Sequence, residues 1–214
     1  DPGSSSASPT FTPRKEKLMV KHYDLIAIGG GSGGLSVAER AAHYGARCAL
    51  IEAGRLGGTC VNVGCVPKKV MWHAANLAHA LDDAPSYGFR LDYFDFDWRK
   101  LQIARDRFVR DLNEWYLSYL TKAGVELIRG FARFIDPHTL EVGSERFTAD
   151  HIVIATGGRP RVPDLPGAEF GITSDGFFEL NACPPRVAIA GSGYIAVELA
   201  CMLQALGADV TLLV

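Results

Sequence analysis

Apolar runs that end in glycine alternate with amphipathic stretches along most of the chain. Residues 23–28 and 47–52 are short apolar runs typical of buried strands, and residues 35–44 between them predict a helix that Gly45 ends. The same order returns nearer the end of the sequence, at residues 186–190, 197–206 and 209–214. Two strand–helix–strand units of this kind predict an α/β protein built on parallel sheet.

A long helix and a series of short strands fill the middle of the chain. Apolar residues recur at three- and four-residue steps from residue 98 to about residue 121 or 123, which predicts one amphipathic helix capped by Asp97. Strand-like runs follow at residues 125–129, 131–135, 139–142, 145–148 and 151–155. The turns between the second, third and fourth runs predict a small antiparallel meander.

Breaks in this pattern predict the domain boundaries. Residues 1–21 are small, polar or charged and lack the apolar part of a secretory signal, so we expect a disordered extension or a cloning remnant ahead of Met19. A trimmed organelle transit peptide is the alternative. Residues 22–158 form the first predicted domain. Residues 159–214 open a second domain that is truncated at its second strand, after a proline-rich crossing.

Composition narrows the class of protein. A formal net charge of −2 over 214 residues gives no reason to expect a nucleic-acid partner, and no run of 18 apolar residues predicts a membrane span. The five cysteines are an odd number in a chain rich in βα units, which argues against a secreted disulfide scaffold. We therefore expect a reducing, cytoplasmic compartment in which any disulfide is catalytic.

Each strand–helix–strand unit carries a glycine-rich turn. In the first unit Gly29, Gly31 and Gly34 have the GxGxxG spacing, and Glu52 ends the next strand 18 residues later. Glycine lets the backbone approach a pyrophosphate at a helix N-terminus, and an acid at that distance accepts hydrogen bonds from ribose hydroxyls. Residues 191–196 repeat the turn as GSGYIA, so the sequence predicts two dinucleotide sites.

Residues 57–69, with the sequence GGTCVNVGCVPKK, carry the most specific chemistry. Four residues separate Cys60 from Cys65, and Cys65 opens a predicted helix. The thiolate form is favoured at a helix N-terminus, and Lys68 adds a positive charge one turn away. The pattern predicts a redox dithiol with one activated sulfur. Zinc held by both cysteines and His73 is the alternative, but a fourth ligand is not evident, so no metal site is predicted.

Residues 57–69 resemble the redox-active segment of the flavin-dependent disulfide reductases. Residues 66–72, 172–178 and 191–200 are similar to the glutathione-reducing members of that family. The resemblance spans residues 23–214. It implies a Rossmann-like FAD-binding domain followed by a truncated NAD(P)-binding domain. It also implies a homodimer that uses NADPH and FAD to reduce glutathione disulfide through a Cys60–Cys65 disulfide.

The resemblance assigns roles to individual residues. Cys65 is the thiolate beside the flavin, and Cys60 is the interchange thiol that attacks the substrate disulfide. Lys68 pairs with Glu198 near the flavin. Tyr194 covers the flavin on the nicotinamide side, and its spacing from Glu198 puts both on one helical face.

The resemblance and the loop pattern together name the remaining site residues. Ser32 and Tyr116 contribute to substrate binding. Cofactor contacts are expected at Gly29, Gly31, Ser32, Gly33, Gly34, Glu52, Gly58, Thr59, Cys60, Lys68, Ala132, Thr156, Gly157, Gly191, Gly193, Tyr194, Ile195 and Glu198.

Two positions depart from the family pattern. Glu39 stands where some members carry an arginine that contacts a glutathione carboxylate, so glutathione is held differently or the substrate is a less acidic conjugate, as in the trypanothione reductases. Ser192 replaces a more usual Ala or Gly, a change we expect to be tolerated.

The family's His–Glu acid–base pair, second FAD-contacting segment and arginines for the NADPH 2′-phosphate fall outside these residues. We therefore expect no turnover from this chain alone. A natural truncation that acts as a nucleotide-binding module stays as a further alternative.

Overall fold

The computed structural model describes residues 20–91 and 95–214, so residues 1–19 of the predicted extension lie outside the described residues. The strands are β1 (Lys21–Ile28), β2 (Cys48–Glu52), β3 (Glu126–Arg129), β4 (Ala132–Asp136), β5 (Thr139–Val142), β6 (Glu145–Ile154), β7 (Arg186–Ala190) and β8 (Asp209–Leu213). The helices are α1 (Ser32–His43), α2 (Gly58–Val63), α3 (Cys65–Asp83), α4 (Trp98–Lys122), α5 (Ser174–Phe177) and α6 (Tyr194–Ala205). Short 3₁₀ turns span Ala84–Tyr87 and Ala168–Phe170.

The strands form a six-stranded sheet and a two-stranded sheet. The larger sheet has the order β3-β2-β1-β6-β5-β4. Its first four strands are parallel, and β5 and β4 extend it as an antiparallel meander. In the smaller sheet β7 pairs with β8 in parallel. The predicted α/β class, with a parallel sheet plus a meander in the first unit, is confirmed.

One long strand replaces two predicted ones. The pattern predicted separate strands at residues 145–148 and 151–155, whereas β6 runs without a break over Glu145–Ile154. The parallel register with β1 continues from the Lys21–Phe147 pair to the Ile28–Ile154 pair. Only the first half of β6 also pairs with β5. The strand therefore belongs to both the meander and the parallel sheet, which local pattern cannot show.

The helices agree with the predicted pattern except around the dithiol. Asp97 caps α4 as predicted, since its carboxylate accepts a hydrogen bond from the Lys100 backbone N–H at 3.0 Å. Residues 58–63 form the short helix α2, which the periodicity did not predict because a six-residue helix between glycines has no measurable period. Gly64 separates it from α3, which begins at Cys65.

An apolar cluster joins the second unit to the first. Met71 and Ala75 of α3 pack with Phe177 and Phe178, and with the buried face of α6 that includes Leu199. Two further clusters cover the faces of the larger sheet. The start of α6 is thereby held next to the start of α3. No helix in the described part of the chain is long and apolar enough to cross a membrane.

Candidate functional site

A cavity of about 570 Å³ opens at the carboxyl ends of β1, β2 and β6. In parallel sheets this edge is where ligands bind, because the loops that leave the strands diverge there. The cavity is lined by Gly29, Gly31, Ser32, Gly33, Glu52, Arg55, Gly57, Gly58, Thr59, Cys60, Asn62, Val63, Ala155, Thr156, Gly157 and Gly158. The three separate sequence motifs, residues 29–34, 57–60 and 156–158, therefore share one cavity.

Close backbone packing explains the glycines of the first loop. A Cβ on Gly34 would overlap the carbonyl oxygen of Gly29, so the loop closes only with glycine there. Gly31 caps α1 without a side chain, which leaves the helix N-terminus open toward the cavity. A Cβ on Gly58 would lie 2.7 Å from the Gly31 Cα, so the dithiol segment and this loop touch through backbone. The result is a cradle of N–H groups suited to phosphate.

The Glu52 carboxylate holds the loops on both sides of the cavity. One oxygen accepts a hydrogen bond from the Gly30 N–H at 2.6 Å, and the other accepts from the Gly54 N–H at 2.6 Å. Each oxygen keeps a second lone pair, and the side chain lines the cavity. Glu52 therefore shapes the loop in addition to the ribose contact that the sequence predicted, a role that spacing alone could not reveal.

The two thiols lie on consecutive helices, and Cys60 lines the cavity. Both are free, and Cys60 is half-buried on α2 while Cys65 is exposed at the first position of α3. Burial raises the pKa of the Cys60 thiol, and its hydrogen bond with the Cys65 side chain raises it further. The Cys65 backbone N–H and the Ser32 hydroxyl oppose this rise. Burial therefore favours the protonated form of Cys60, whereas Cys65 is exposed at the start of α3.

Two asparagines hold the dithiol segment in place through hydrogen bonds, and the sequence analysis predicted neither of them. Asn62 donates from Nδ2 to the carbonyls of Leu56 and Gly58, each at 2.9 Å. Asn113 of α4 donates to the same Leu56 carbonyl at 2.8 Å and to the Asn62 Oδ1 at 3.1 Å. The position of Asn62 between the cysteines was a signal, whereas Asn113 is distant in sequence and looks like any polar helix residue.

Lys68 and Glu198 meet across the two units. The Lys68 Nζ lies 2.8 Å from the Glu198 Oε1, and both side chains are partly buried. Lys68 is in the first turn of α3, three residues after Cys65. Tyr194 begins α6 one turn before Glu198 and is largely exposed. The structure brings together the dithiol helix and the predicted nicotinamide-side residues.

Other predicted site residues lie away from the cavity. Ala132 begins β4, and Gly191, Gly193 and Ile195 belong to the β7–α6 turn. Gly34 is buried beneath the first loop. The pattern also missed six residues that line the cavity, namely Arg55, Gly57, Asn62, Val63, Ala155 and Gly158. Most of these residues are next to predicted ones in the sequence, and this proximity could have indicated that they line the cavity.

Tyr116 lies on α4 in a group of three aromatic rings. Its ring contacts Trp115 at a centroid distance of 5.0 Å, and Trp115 stacks on Tyr119 at 5.1 Å. Burial and the nearby Glu39 carboxylate raise the pKa of Tyr119. Glu39 of α1 therefore faces the same end of α4 as Tyr116. The structure places the predicted substrate residue beside the position that departs from the family pattern.

The cavity fits a dinucleotide better than a metal ion. It has the volume for an extended ligand, an open helix N-terminus for the pyrophosphate and a carboxylate with free lone pairs for ribose. The residues that would hold FAD are the loop 29–34, Glu52 and residues 57–60. Within residues 20–91 and 95–214, no group of three or more His, Cys, Asp or Glu is arranged to hold a metal.

Comparison with known proteins agrees with this geometry. The chain is 48% identical over 193 residues to a glutathione reductase of Nostoc sp., a match that covers 90% of this chain and 42% of the relative. Identity is 49% to the glutathione reductase of Yarrowia lipolytica, with coverage of 90% and 44%. It is 50% to that of Schizosaccharomyces pombe, with coverage of 88% and 43%. The chain spans less than half the length of these curated relatives.

The match to a family model spans about the same part of the chain as these relatives do. Residues 23–214 match the pyridine nucleotide-disulphide oxidoreductase family, which includes nearly all of the described chain. The match covers the glycine-rich loops, the dithiol helices and the Lys68–Glu198 pair in one alignment. Shared sequence and the site's geometry lead to one conclusion: this chain belongs to the pyridine nucleotide-disulphide oxidoreductase family.

Proposed function

We propose that this chain is the FAD-binding and dithiol part of an NADPH-dependent glutathione-disulfide reductase that works as a homodimer. The observation that carries the proposal is the Cys60–Cys65 pair on consecutive helices, with Cys60 in the lining of a cavity suited to a dinucleotide. The glutathione reductase family uses FAD and NADPH. We divide the chain into an FAD-binding domain at residues 22–158 and the start of an NAD(P)H-binding domain at residues 159–214.

The chain's own residues perform the thiol chemistry. The loop 29–34, Glu52 and residues 57–60 would hold FAD, which would supply the two electrons that reduce the dithiol. The Cys60 sulfur attacks one sulfur of the substrate disulfide, forming a mixed disulfide and releasing the first thiol. Cys65 then attacks Cys60 within the mixed disulfide, which releases the second thiol and leaves a Cys60–Cys65 disulfide. The substrate is reduced by two electrons and the dithiol is oxidised by two.

Neighbouring groups set the order of these steps. The raised pKa of Cys60 keeps the proton on that sulfur until substrate arrives, while the Ser32 hydroxyl and the Cys65 N–H stabilise the thiolate that attacks. The proton that Cys60 loses when its thiolate forms balances the proton that the first leaving thiol gains. Lys68 and Glu198 neutralise each other beside the dithiol helix, so neither charge is left uncompensated when the site closes over a cofactor.

The visible spectrum of the complete enzyme tests the assignment of the two sulfurs. We expect flavin bands and, after two-electron reduction, a long-wavelength shoulder. The shoulder should be lost in Cys65→Ser and kept in Cys60→Ser, because only Cys65 is assigned to the flavin side. A shoulder that survives Cys65→Ser would reverse the roles of the cysteines. If the purified wild-type protein contained no flavin, the proposed function would be wrong.

The position of Glu39 supports a second class of substrate, the less acidic or cationic conjugates of glutathione. This carboxylate lies against Tyr119 on α4, in the aromatic group that includes Tyr116. An acid there disfavours the carboxylates of glutathione and favours a less acidic or cationic glutathione conjugate, as the trypanothione reductases use. Comparing kcat/KM for glutathione disulfide with that for a cationic conjugate decides between them. Preference for the cationic disulfide would overturn the glutathione assignment.

We also propose a reducing compartment, the cytoplasm, for this activity. The proposal is supported by the free thiols at Cys48, Cys60, Cys65, Cys183 and Cys201. No nucleic-acid or membrane partner is part of it.

A further inference from the structure

Arg105 of α4 is the most deeply buried charged side chain in the described residues. Only 1% of the residue is exposed, although arginine is ordinarily a surface residue. Its Nε and Nη2 donate to the Asp106 carboxylate at 2.8 and 2.7 Å. Because burial of an unpaired guanidinium is strongly unfavourable, this pairing is what makes the position tolerable. The pairing within one helix does not explain why a charge is buried there.

The other contacts of Arg105 reach two further segments. Nη2 donates to the Phe178 carbonyl at 2.7 Å, and the guanidinium lies 5.6 Å from the centre of the Phe178 ring. Nη1 lies 3.4 Å from the sulfur of Met71 on α3. One side chain therefore contacts α3, α4 and the segment that links α5 to β7.

Arg105 is the last member of a polar row on α4. Trp98, Arg99 and Gln102 precede it at helical spacing and face the same segment, residues 178–181. The row donates from Trp98 Nε1 to Leu180 O at 3.0 Å, from Arg99 Nη1 to Asn181 Oδ1 at 3.2 Å, and from Gln102 Nε2 to Asn181 Oδ1 at 3.5 Å. Gln102 and Arg105 are the buried polar residues of the described chain. We call residues 178–181 the linker segment.

The linker segment leads to the helix that carries Glu198. Phe178 belongs to the apolar cluster that includes Leu199 of α6, the residue after Glu198. On the other side, Met71 lies one turn beyond Lys68 on α3. Arg105 is thus connected to Lys68 through Met71 and to Glu198 through the cluster of Phe178 and Leu199. Apolar contacts alone would let α6 slide on α3, whereas the fork of a guanidinium fits one arrangement of its acceptors.

We infer that Arg105 is a positioning residue, which sets α6 against α3 so that Glu198 meets Lys68 on the nicotinamide side of the site. The inference rests on the proposed function for its kinetic consequence and on geometry alone for its structural one. Loss of Arg105 should disturb the NADPH side of the reaction, while the Cys60 side, which Asn62 and Asn113 anchor, stays intact.

Hydrogen–deuterium exchange in the full-length protein tests the structural part without any activity. Arg105→Met fills much of the volume but removes every donor, and Arg107→Met is the matched control, since Arg107 is exposed on the same helix. We expect faster exchange in the linker segment and in the first turn of α6 for Arg105→Met only. Arg105→Lys, which keeps the charge without the fork, should give an intermediate effect and covers the case in which Arg105→Met fails to fold. Unchanged exchange in both Arg105 variants would overturn the inference.

Stopped-flow kinetics on the loaded enzyme tests the functional part. We expect Arg105→Met to slow flavin reduction by NADPH roughly tenfold, a coupling ordinary for residues that share partners, and to leave reoxidation by the disulfide within about twofold. When Glu198 has already been replaced by Gln, adding Arg105→Met should not slow flavin reduction any further. Equal slowing of both half-reactions, or a full additional loss beside Glu198→Gln, would contradict positioning. If the wild-type enzyme reduced no disulfide, the proposed function would fail while the exchange result still stood.

Discussion

At the scale of single residues, the two cysteines have different environments although both belong to one short segment. Cys60 is half-buried beside Ser32, and Cys65 is exposed at the start of α3. Burial disfavours the thiolate of Cys60. The two sulfurs therefore differ in burial because they lie on different helices, α2 and α3, and this difference supports the separate roles that we propose for them.

The pH dependence of Cys60 alkylation follows from its raised pKa. A thiol reacts as its thiolate, so in the reduced protein Cys60 should react with iodoacetamide several times more slowly at pH 8 than free cysteine does. Its rate should keep rising beyond pH 9.0, the ordinary value for the group. Peptide mass spectrometry separates Cys60 from the other thiols. A rate of alkylation that levels off below pH 9 would show that the pKa of Cys60 is not raised.

Gly34 should not tolerate even alanine. Its Cβ would overlap the Gly29 carbonyl, and displacing that loop costs about 1–3 kcal/mol. Because the loop lines the cavity, Gly34→Ala should lower FAD affinity in the full-length protein by roughly tenfold or more. Gly45→Asn is the control, since Gly45 has φ of +91° but open space around its α-carbon, and asparagine accepts that conformation. FAD retained per protein, measured by absorbance, distinguishes the two variants.

At the scale of elements, α4 is the support of the site rather than part of its lining. Residues in its first half form hydrogen bonds with the linker segment. In its middle, Asn113 forms hydrogen bonds with Leu56 and with Asn62 of α2, and its last turns carry the aromatic group of Tyr116. The predicted helix and cap were right. Its partners could not be predicted, since they lie 51 to 82 residues away in sequence.

Removing the cap of α4 should lower stability without touching the chemistry. Asp97 satisfies the Lys100 N–H, and loss of such a cap costs about 1 kcal/mol. Asp97→Ala should shift the urea midpoint accordingly and leave the rate constants of the folded enzyme unchanged. Asp111→Ala, an exposed acid on the same helix, is the control and should have a smaller effect. An equal loss in both variants would mean that helix charge rather than capping is responsible.

At the scale of the whole molecule, the two units depend on each other. The smaller sheet has two strands, and its helix α6 buries Leu199, Met202 and Leu203 against α3 and the α5 region. This contact buries the apolar face of α6 against the first unit. The Lys68–Glu198 pair lies at the edge of the same contact.

Replacing one partner of the Lys68–Glu198 ion pair should destabilise the protein more than replacing both partners. Glu198→Gln leaves the partly buried Lys68 ammonium without its carboxylate, which should cost about 1 kcal/mol in the urea unfolding of the second unit. Lys68→Met combined with Glu198→Gln should recover part of that loss, because no uncompensated charge is left. A double variant that is less stable by the sum of both single losses would rule out a direct interaction.

The sequence by itself determined the local features: the α/β alternation, the glycine turns, the capped helix α4 and the place of Cys65 at a helix start. These depend on neighbours within a few residues, so their period and spacing were sufficient. The tertiary structure alone decided that β6 is one strand shared by two kinds of sheet, that Asn113 holds the dithiol segment, and that Arg105 is buried against Met71 and Phe178. Each of these depends on residues brought together by folding, and such contacts leave no local pattern in the chain.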